Sequence, residues 1–269
     1  MRALDDLPLR GAPSPLPVPP ARLAPWRDRR PLKRWRYVGL YGEHLMLCAA
    51  SVRIAGLPQS FWAVWDRAAG VLDERTSFRP GAVTVGAGRV RCGPIDMMLR
   101  PDGEPVEVTS RHGDSYIWTR KLPVLATGTV GGRRLALRGL VDDSAGYHAR
   151  RTAWRWCAGV GEDDGGRLLA WNVVTGVHDA PAGSERTVWV DGAARELPAG
   201  RFADDLGDIT WPGGARLRFA EEARRARADD LKVFASDYVQ PFGTFAGTLP
   251  GGVEVARGWG VMERHDVRW

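Results

Sequence analysis

Lysine is nearly absent from this sequence: Lys33, Lys121 and Lys232 are the only three among 38 basic side chains. The positive balance, formally +6 with a pI near 9.6, is therefore carried by arginine. Arginine is a planar donor suited to bidentate contact with carboxylate or phosphate. No stretch beyond the N-terminal arm gathers it into the concentrated basic face that nucleic-acid binding shows. Most of it stands beside Asp and Glu along the chain and reads as a solvated surface, so nucleic acid is not expected as a partner. Cysteine is equally scarce. Cys48, Cys92 and Cys157 are widely spaced and form no CxxC pair, which argues against a disulfide framework and a structural zinc site and leaves reduced, buried thiols. The five histidines show no close ligand spacing, and no metal site is expected. No apolar run approaches the length needed to cross a bilayer. The first residues, MRALDDLPLR, carry acids where an export signal carries an apolar core, so the expected location is cytoplasmic.

Catalytic signatures are missing as well. There is no HExxH, no GxxxxGK[ST] and no Rossmann glycine triplet after a strand. Asp142-Asp143-Ser144-Ala145-Gly146 lacks the first glycine of a nucleophile elbow. Hydrolase, nucleotide-dependent and zinc-protease chemistries are disfavoured, and nothing in the sequence requires a cofactor.

Tryptophan is what the chain has in excess: twelve, against five tyrosines and seven phenylalanines. Each brings a wide apolar face and one N–H that needs a partner when buried. The weighting suits either large β-rich cores or an aromatic pocket for an apolar ligand. Prolines crowd the start, with Pro8, Pro13, Pro15, Pro17, Pro19, Pro20, Pro25 and Pro31 in one short stretch. Such a segment stays extended and cannot enter a sheet interior, which predicts an arm over residues 1–34. Its end, Trp26-Arg27-Asp28-Arg29-Arg30 and Lys33-Arg34-Trp35-Arg36, interleaves bases with aromatics. That pattern suits either a weak peripheral contact with anionic lipid or phosphate, or a solvated lead-in strand. No integral membrane segment is expected.

From Arg36 onward the text is a β meander. Thr152, Trp154, Trp156, Ala158 and Val160 alternate with Arg155 and Cys157, and Leu169, Trp171, Val173, Thr175 and Val177 repeat the period of two. Pro101-Asp102-Gly103, Gly131-Gly132, Asp191-Gly192, Pro212-Gly213-Gly214 and Pro250-Gly251-Gly252 punctuate the runs as turns. Many short strands joined this way predict an all-β sandwich or barrel. AEEARRARA, residues 220–228, has helix propensity but almost no apolar residue at helical spacing. It is read as a hairpin meeting at Ala228-Asp229-Asp230, with Leu231, Val233 and Phe234 resuming a strand.

The segments KRWRYVGLYGEHLMLCAA (33–50), QSFWAVWDR (59–67), GLVDDSAGYHARRTAWRWCAGVG (139–161), AWNVVTGVHD (170–179), SERTVWVDG (184–192), YVQPFGTFAG (238–247) and GVMERHDVRW (260–269) resemble the family catalogued as domain of unknown function 2804. That family is distantly similar to the double-barrel, lipocalin-like (calycin) group that includes carotenoid hydratases and tocopherol cyclases. The resemblance implies two tandem lipocalin-like antiparallel β-barrels, placed at residues 35–145 and 146–269, with apolar cavities or a cleft between them.

The candidate chemistry is a set of polar residues embedded in Trp-rich strands. In GVMERHDVRW, alternation puts Glu263 and His265 on one face with Val261. A carboxyl beside an imidazole in a dry pocket can pass a proton to an isolated double bond, although Glu263 and Arg264 also suit interstrand ion pairs. The densest cluster, Asp142, Asp143, Tyr147, His148, Arg150 and Arg151, precedes Trp154 and Trp156 at mid-chain, where two barrels would meet. His148 is the foremost acid–base candidate there, joined by Glu263, His265 and Glu185. Tyr147, Arg151, Trp154, Trp156, Trp171, Asn172 and Arg186 are the candidate ligand-binding residues. Glu185 and Arg186 form either a strand-borne ion pair or an anchor for a ligand headgroup, and Asn172 needs internal partners if buried. His44, His112 and His178 adjoin turns or charges and read as exposed. Tyr238, Gln240 and Pro241-Phe242-Gly243 read as a strand broken by a bulge. Three functions remain open: a cofactor-free enzyme acting on a small hydrophobic, isoprenoid- or polyketide-like molecule, a carrier of such a molecule, or an interaction module with filled barrels. The oligomeric state is not legible.

Overall fold

Two antiparallel sheets, each wrapped around its own apolar filling, make up almost the whole chain. The computed structural model describes residues 2–231 and 234–269. Among them the helical content is one turn, Arg2–Asp5, and no helix is long and apolar enough to cross a membrane. The first sheet is built from strands lying between Leu9 and Gly146, and the second from strands between Arg151 and Arg268.

Turn chemistry sets the meander. Gly131-Gly132 links Val130 to its paired neighbour Arg133, and Asp191-Gly192 links Val190 to Ala193; all four turn residues have positive φ, the two-residue hairpin geometry that matches the twist of the strands it joins. Curl comes from strands of unusual length. Ser115–Val130 has 16 residues; its first half pairs with Val106–His112 and its second with Ile95–Pro101, so the sheet bends along it. The first sheet then folds over until Thr84–Val85 approaches Lys33–Tyr41 and Leu45–Ile54 across the core. One core of Val38, Leu47, Val90, Met97, Leu122 and Val141 fills the space enclosed. The second sheet encloses Cys157, Trp171, Val173, Phe219, Phe245 and Met262 in the same way. Both strand orders are open paths, so each unit is a curled half-barrel.

Close backbone approach is built in where Lys33–Tyr41 crosses Arg133–Gly146. A Cβ on Gly139 would stand 1.8 Å from the Gly39 carbonyl oxygen. Gly139→Ala is expected to destabilise the protein by about 1–3 kcal/mol, since backbone rather than a flexible side chain must yield. Urea unfolding measures this, and an unchanged midpoint would refute the tight crossing.

The two sheets meet back to back over a third apolar cluster that includes Tyr37, Tyr41, Met46, Trp156, Phe242 and Val261. A β-bulge helps to pin them. The register shifts between Glu221 and Ala223, which leaves Glu222 outside the ladder. Its carboxylate reaches the other sheet, accepting from Trp65 Nε1 at 3.0 Å and from Arg67 Nε at 2.6 Å. The Pro-rich N-terminal segment packs Leu16 and Leu23 against Tyr116, Trp118, Ala145 and Tyr147.

Residues 220–228 are strand, as the hairpin reading required, but the strand pairing runs on past the expected meeting point at 228–230. Ala228, Asp229 and Asp230 pair with Asp237, Ser236 and Ala235, and Leu231 with Phe234. Residue 233, expected to resume the strand, lies outside the described residues, as does 232. All three cysteines are buried and unpaired.

Candidate functional site

Strand pairing decides which polar side chains enter the seam between the sheets. Val106, Lys121, Asp142 and Tyr37 are cross-strand neighbours in one row, and Val108, Thr119, Ser144 and Trp35 in the next. The second sheet presents Trp154 beside His265 and Trp156 beside Glu263, with Asn172 next to Ala158. These faces meet, so ionisable groups are buried where neither barrel core would hold them.

Lys121 anchors the first cluster at 3 % exposure. Its Nζ lies 2.7 Å from Asp142 Oδ2 on the neighbouring strand and 3.2 Å from Glu185 Oε1 contributed by the second half. Asn172 donates to the Glu185 carbonyl at 3.0 Å and to its carboxylate at 3.3 Å, while Trp156 Nε1 donates to Asn172 Oδ1 at 2.7 Å. Burial alone would pull the Lys121 pKa down, but the two carboxylates outweigh it and the net shift is upward. The same burial holds Glu185 above the usual carboxylate range, against the pull of Lys121. One cation facing two acids in a dry site retains a proton on Glu185 more readily than water would allow.

Glu263 centres the second cluster. Trp154 Nε1 donates to Oε1 at 2.7 Å and Gln240 Nε2 to Oε2 at 2.8 Å. Both bonds favour the charged form, yet burial dominates and pushes the carboxyl up to about 7. Arg225 lies beyond Gln240, donating to its Oε1 at 3.2 Å, to Tyr238 Oη at 3.2 Å and to Glu74 at 2.8 Å. Over this cluster runs a belt of half-buried rings. Trp35 stacks on Trp154 with centroids 6.4 Å apart, Trp154 meets His265 at 4.4 Å, His265 meets Tyr238 at 5.2 Å, and Tyr238 meets Phe61 at 6.4 Å.

Three imidazoles share one end of the seam. His148, at 2 % exposure, lies 5.0 Å from the Trp35 ring and 5.5 Å from the His112 ring. His178 Nδ1 is 3.0 Å from Ser110 Oγ. Burial, reinforced by His112 and Lys33, drops the His148 pKa well below the usual imidazole value, and burial does the same to His178. Lys33 itself is lowered to about 8 by burial and by Arg30. His148 Nδ1, His112 Nε2, His178 Nε2, Ser115 Oγ, Ser144 Oγ and Asp142 Oδ1 are buried without hydrogen-bond partners among the described residues.

Of the residues singled out from sequence, Glu263, His265, Trp154, Trp156, Asn172, Glu185 and His148 line the seam. Trp171 does not: the alternation that turns Asn172 toward the seam sends Trp171 into the second barrel core. Glu185 pairs with Lys121 rather than Arg186, whose Nε and Nη2 are taken by the carbonyls of Leu197 and Ala180. Arg264, not Glu263, makes the expected strand ion pair, with Asp237. Tyr147 holds the arm by donating to the Ala24 carbonyl, and Arg151 is exposed. His178 is buried and His112 half-buried, contrary to the exposed reading, because the other sheet covers them. Lys121 and Arg225 escaped sequence reasoning, while Trp35 was read only as the basic–aromatic end of the arm and Gln240 only as part of a bulged strand. Lys121 alone carried a signal, a charge in phase with Ile117 and Thr119 in an otherwise buried strand. Among the described residues no cluster of three or more His, Cys, Asp or Glu side chains has metal-binding geometry.

Two tandem, curled antiparallel sheets sharing an aromatic seam place the molecule in the all-β class, as a pair of half-barrels packed together. The chain belongs to the family described as domain of unknown function DUF2804, whose sequence profile matches residues 95–269. No curated protein matches its sequence. Among solved structures it is similar to kievitone hydratase from Nectria haematococca, with 10% identity, a TM-score of 0.47, and 86% of this chain and 88% of that one covered. It is also similar to CghA with Sch210972, with 12% identity, a TM-score of 0.41, and 87% of each chain covered.

Proposed function

We propose that the protein binds a small hydrophobic molecule, isoprenoid- or polyketide-like, along the aromatic belt and acts on it by cofactor-free acid–base chemistry, with Glu263 as proton donor. In this reading residues 1–34 are an arm, and 35–145 and 146–269 are the two barrels whose junction forms the site. The observation that carries it is a carboxyl brought to about 7 beneath stacked rings. Such a group is protonated in a large fraction of molecules at neutral pH and is poised to give its proton to a double bond. The unpartnered seam atoms of His148, His178 and Ser144 supply polar contacts for a substrate oxygen. A second reading, a carrier without turnover, rests on the same belt with the ionisable groups only orienting the ligand.

The test is label transfer. The protein is incubated in deuterated water with lipid extract from its own cells, and extracted hydrophobes are weighed by mass spectrometry. The enzyme reading expects a hydrophobe that gains carbon-bound deuterium with the wild-type chain and not with Glu263→Gln. A co-purifying hydrophobe that both chains bind and neither labels makes the protein a carrier.

The stability of Glu263→Gln reports on the carboxyl independently. The folded pKa, about 7, lies above the unfolded value of 4.5, so the fold is favoured by protonation and loses stability as pH rises from 4.5 to 7. At pH 8 that loss is about 3 kcal/mol, and the variant escapes it. The wild type minus variant difference in Tm should therefore fall with rising pH and level off above 7. A flat difference would show that the carboxyl titrates normally.

A further inference from the structure

A cavity of about 470 Å³ opens on the opposite face of the first sheet, beside the Pro-rich N-terminal segment. Two cross-strand rows of that face line it. In one, Arg34 stands directly opposite Arg53 on the adjoining strand. Both are exposed, and among the described residues neither has a carboxylate partner; Arg53 reaches only the Gly56 carbonyl, at 3.4 Å. In the next row Arg36 lies 3.5 Å from Asp143, with its buried Nε lacking a hydrogen-bond partner, and Arg120 lies 3.4 Å from Glu107. Four guanidinium groups thus face two carboxylates. Like charges placed directly across a strand pair destabilise a sheet, so the Arg34–Arg53 juxtaposition works against the fold and calls for an anion between them. Apart from Ser51 and Ser144, the rest of the wall is apolar. Trp118 forms one side, and Pro19 and Pro20 form another, held in place because Leu16 and Leu23 are buried against Trp118 and Ala145.

We propose that this cavity binds an amphiphile with an oxyanion head, carboxylate or phosphate, gripped between Arg34 and Arg53, and a compact apolar body laid between Trp118 and the arm. Arginine's fork meets either head bidentately. The indole and the proline rings give the body a flat apolar slot. This site lies on the other side of the first sheet from the one built on Glu263, with Trp35 and Ser144 bordering both, and the arginine grip does not depend on Glu263.

Titration calorimetry of the full chain with decanoate, decyl phosphate, decanol and inorganic phosphate tests the assignment. One or both anionic amphiphiles should bind in a one-to-one ratio, at least tenfold more tightly than decanol or inorganic phosphate, and the tighter of the two identifies the head group. The Arg34→Ser/Arg53→Ser protein should bind at least tenfold more weakly while its Tm holds or rises, because a repulsive pair has been removed. Arg53→Ser alone serves if the double variant misfolds, and Arg134→Ser, on a strand beside a distant turn, should bind as the wild type does. The proposal is overturned if decanol matches decanoate, if phosphate alone matches decyl phosphate, if the arginine variants bind normally, or if neither anionic amphiphile gives heat.

Discussion

Lys121→Met is expected to lower stability by about 3–5 kcal/mol, because it strips the cation from two buried carboxylates. Asp142 and Glu185 are 9 % and 2 % exposed and share Lys121 as their ammonium partner. Methionine fills the volume of the lysine stem, so the loss reports charge rather than a cavity. The remedy is equally specific. Glu185→Gln added to Lys121→Met removes one of the stranded acids and keeps a side chain able to meet Asn172. The double variant should therefore be more stable than Lys121→Met alone, a coupling opposite in sign to simple addition. Urea unfolding at pH 7.5 measures both chains. A single-variant loss under about 1 kcal/mol would mean that water reaches the cluster and screens it.

The second large effect is on acid stability. His148, His178 and His265 are held neutral by burial, with His265 lowered to about 4 and the other two well below the usual imidazole value. A base whose folded pKa is depressed contributes stability that is complete above its unfolded value of 6.5 and is lost as pH falls toward the folded one. For His265 alone the loss is about 3 kcal/mol by pH 4. Protonation of Glu263 acts in the opposite direction over part of the same range, but it is one group against three. The chain should unfold cooperatively between about pH 6 and 4, and His148→Leu should move that midpoint to lower pH. Circular dichroism during an acid titration decides the matter; a chain still folded at pH 4 would require these imidazoles to be solvated.

Period-two alternation and turn chemistry made the strands legible, and they set Glu263 and His265 on one face before any coordinates. They also paired Trp154 with Trp156 and turned Cys157 away. The same rule separates Trp171 from Asn172, which grouping them as ligand-binding residues had ignored. Long-range pairing was not legible. Lys121 meets Glu185 from 64 positions away, and Cys48 meets Gln240 at 3.6 Å from a different sheet. No local pattern encodes such meetings, because they depend on how two curled sheets are set back to back. Burial of His178 follows from the same arrangement: its neighbours Val177 and Asp179 give no local pattern of burial, and its cover comes from Ser110 and the sheet around it.

That back-to-back arrangement also orders events as the chain is made. The first sheet has all its strands once Gly146 has left the ribosome, and its outer face then shows Tyr37, Tyr41 and Met46 to water, with Lys121 already matched by Asp142. The complementary surface builds up through Trp156, Ala170 and Phe242 and is complete only with the strand Val253–Arg268, which brings Glu263 and Val261. Until that strand is made, the nascent half carries an uncovered sticky flank, so a chain cut short anywhere within it should yield an aggregating product rather than a shortened functional one.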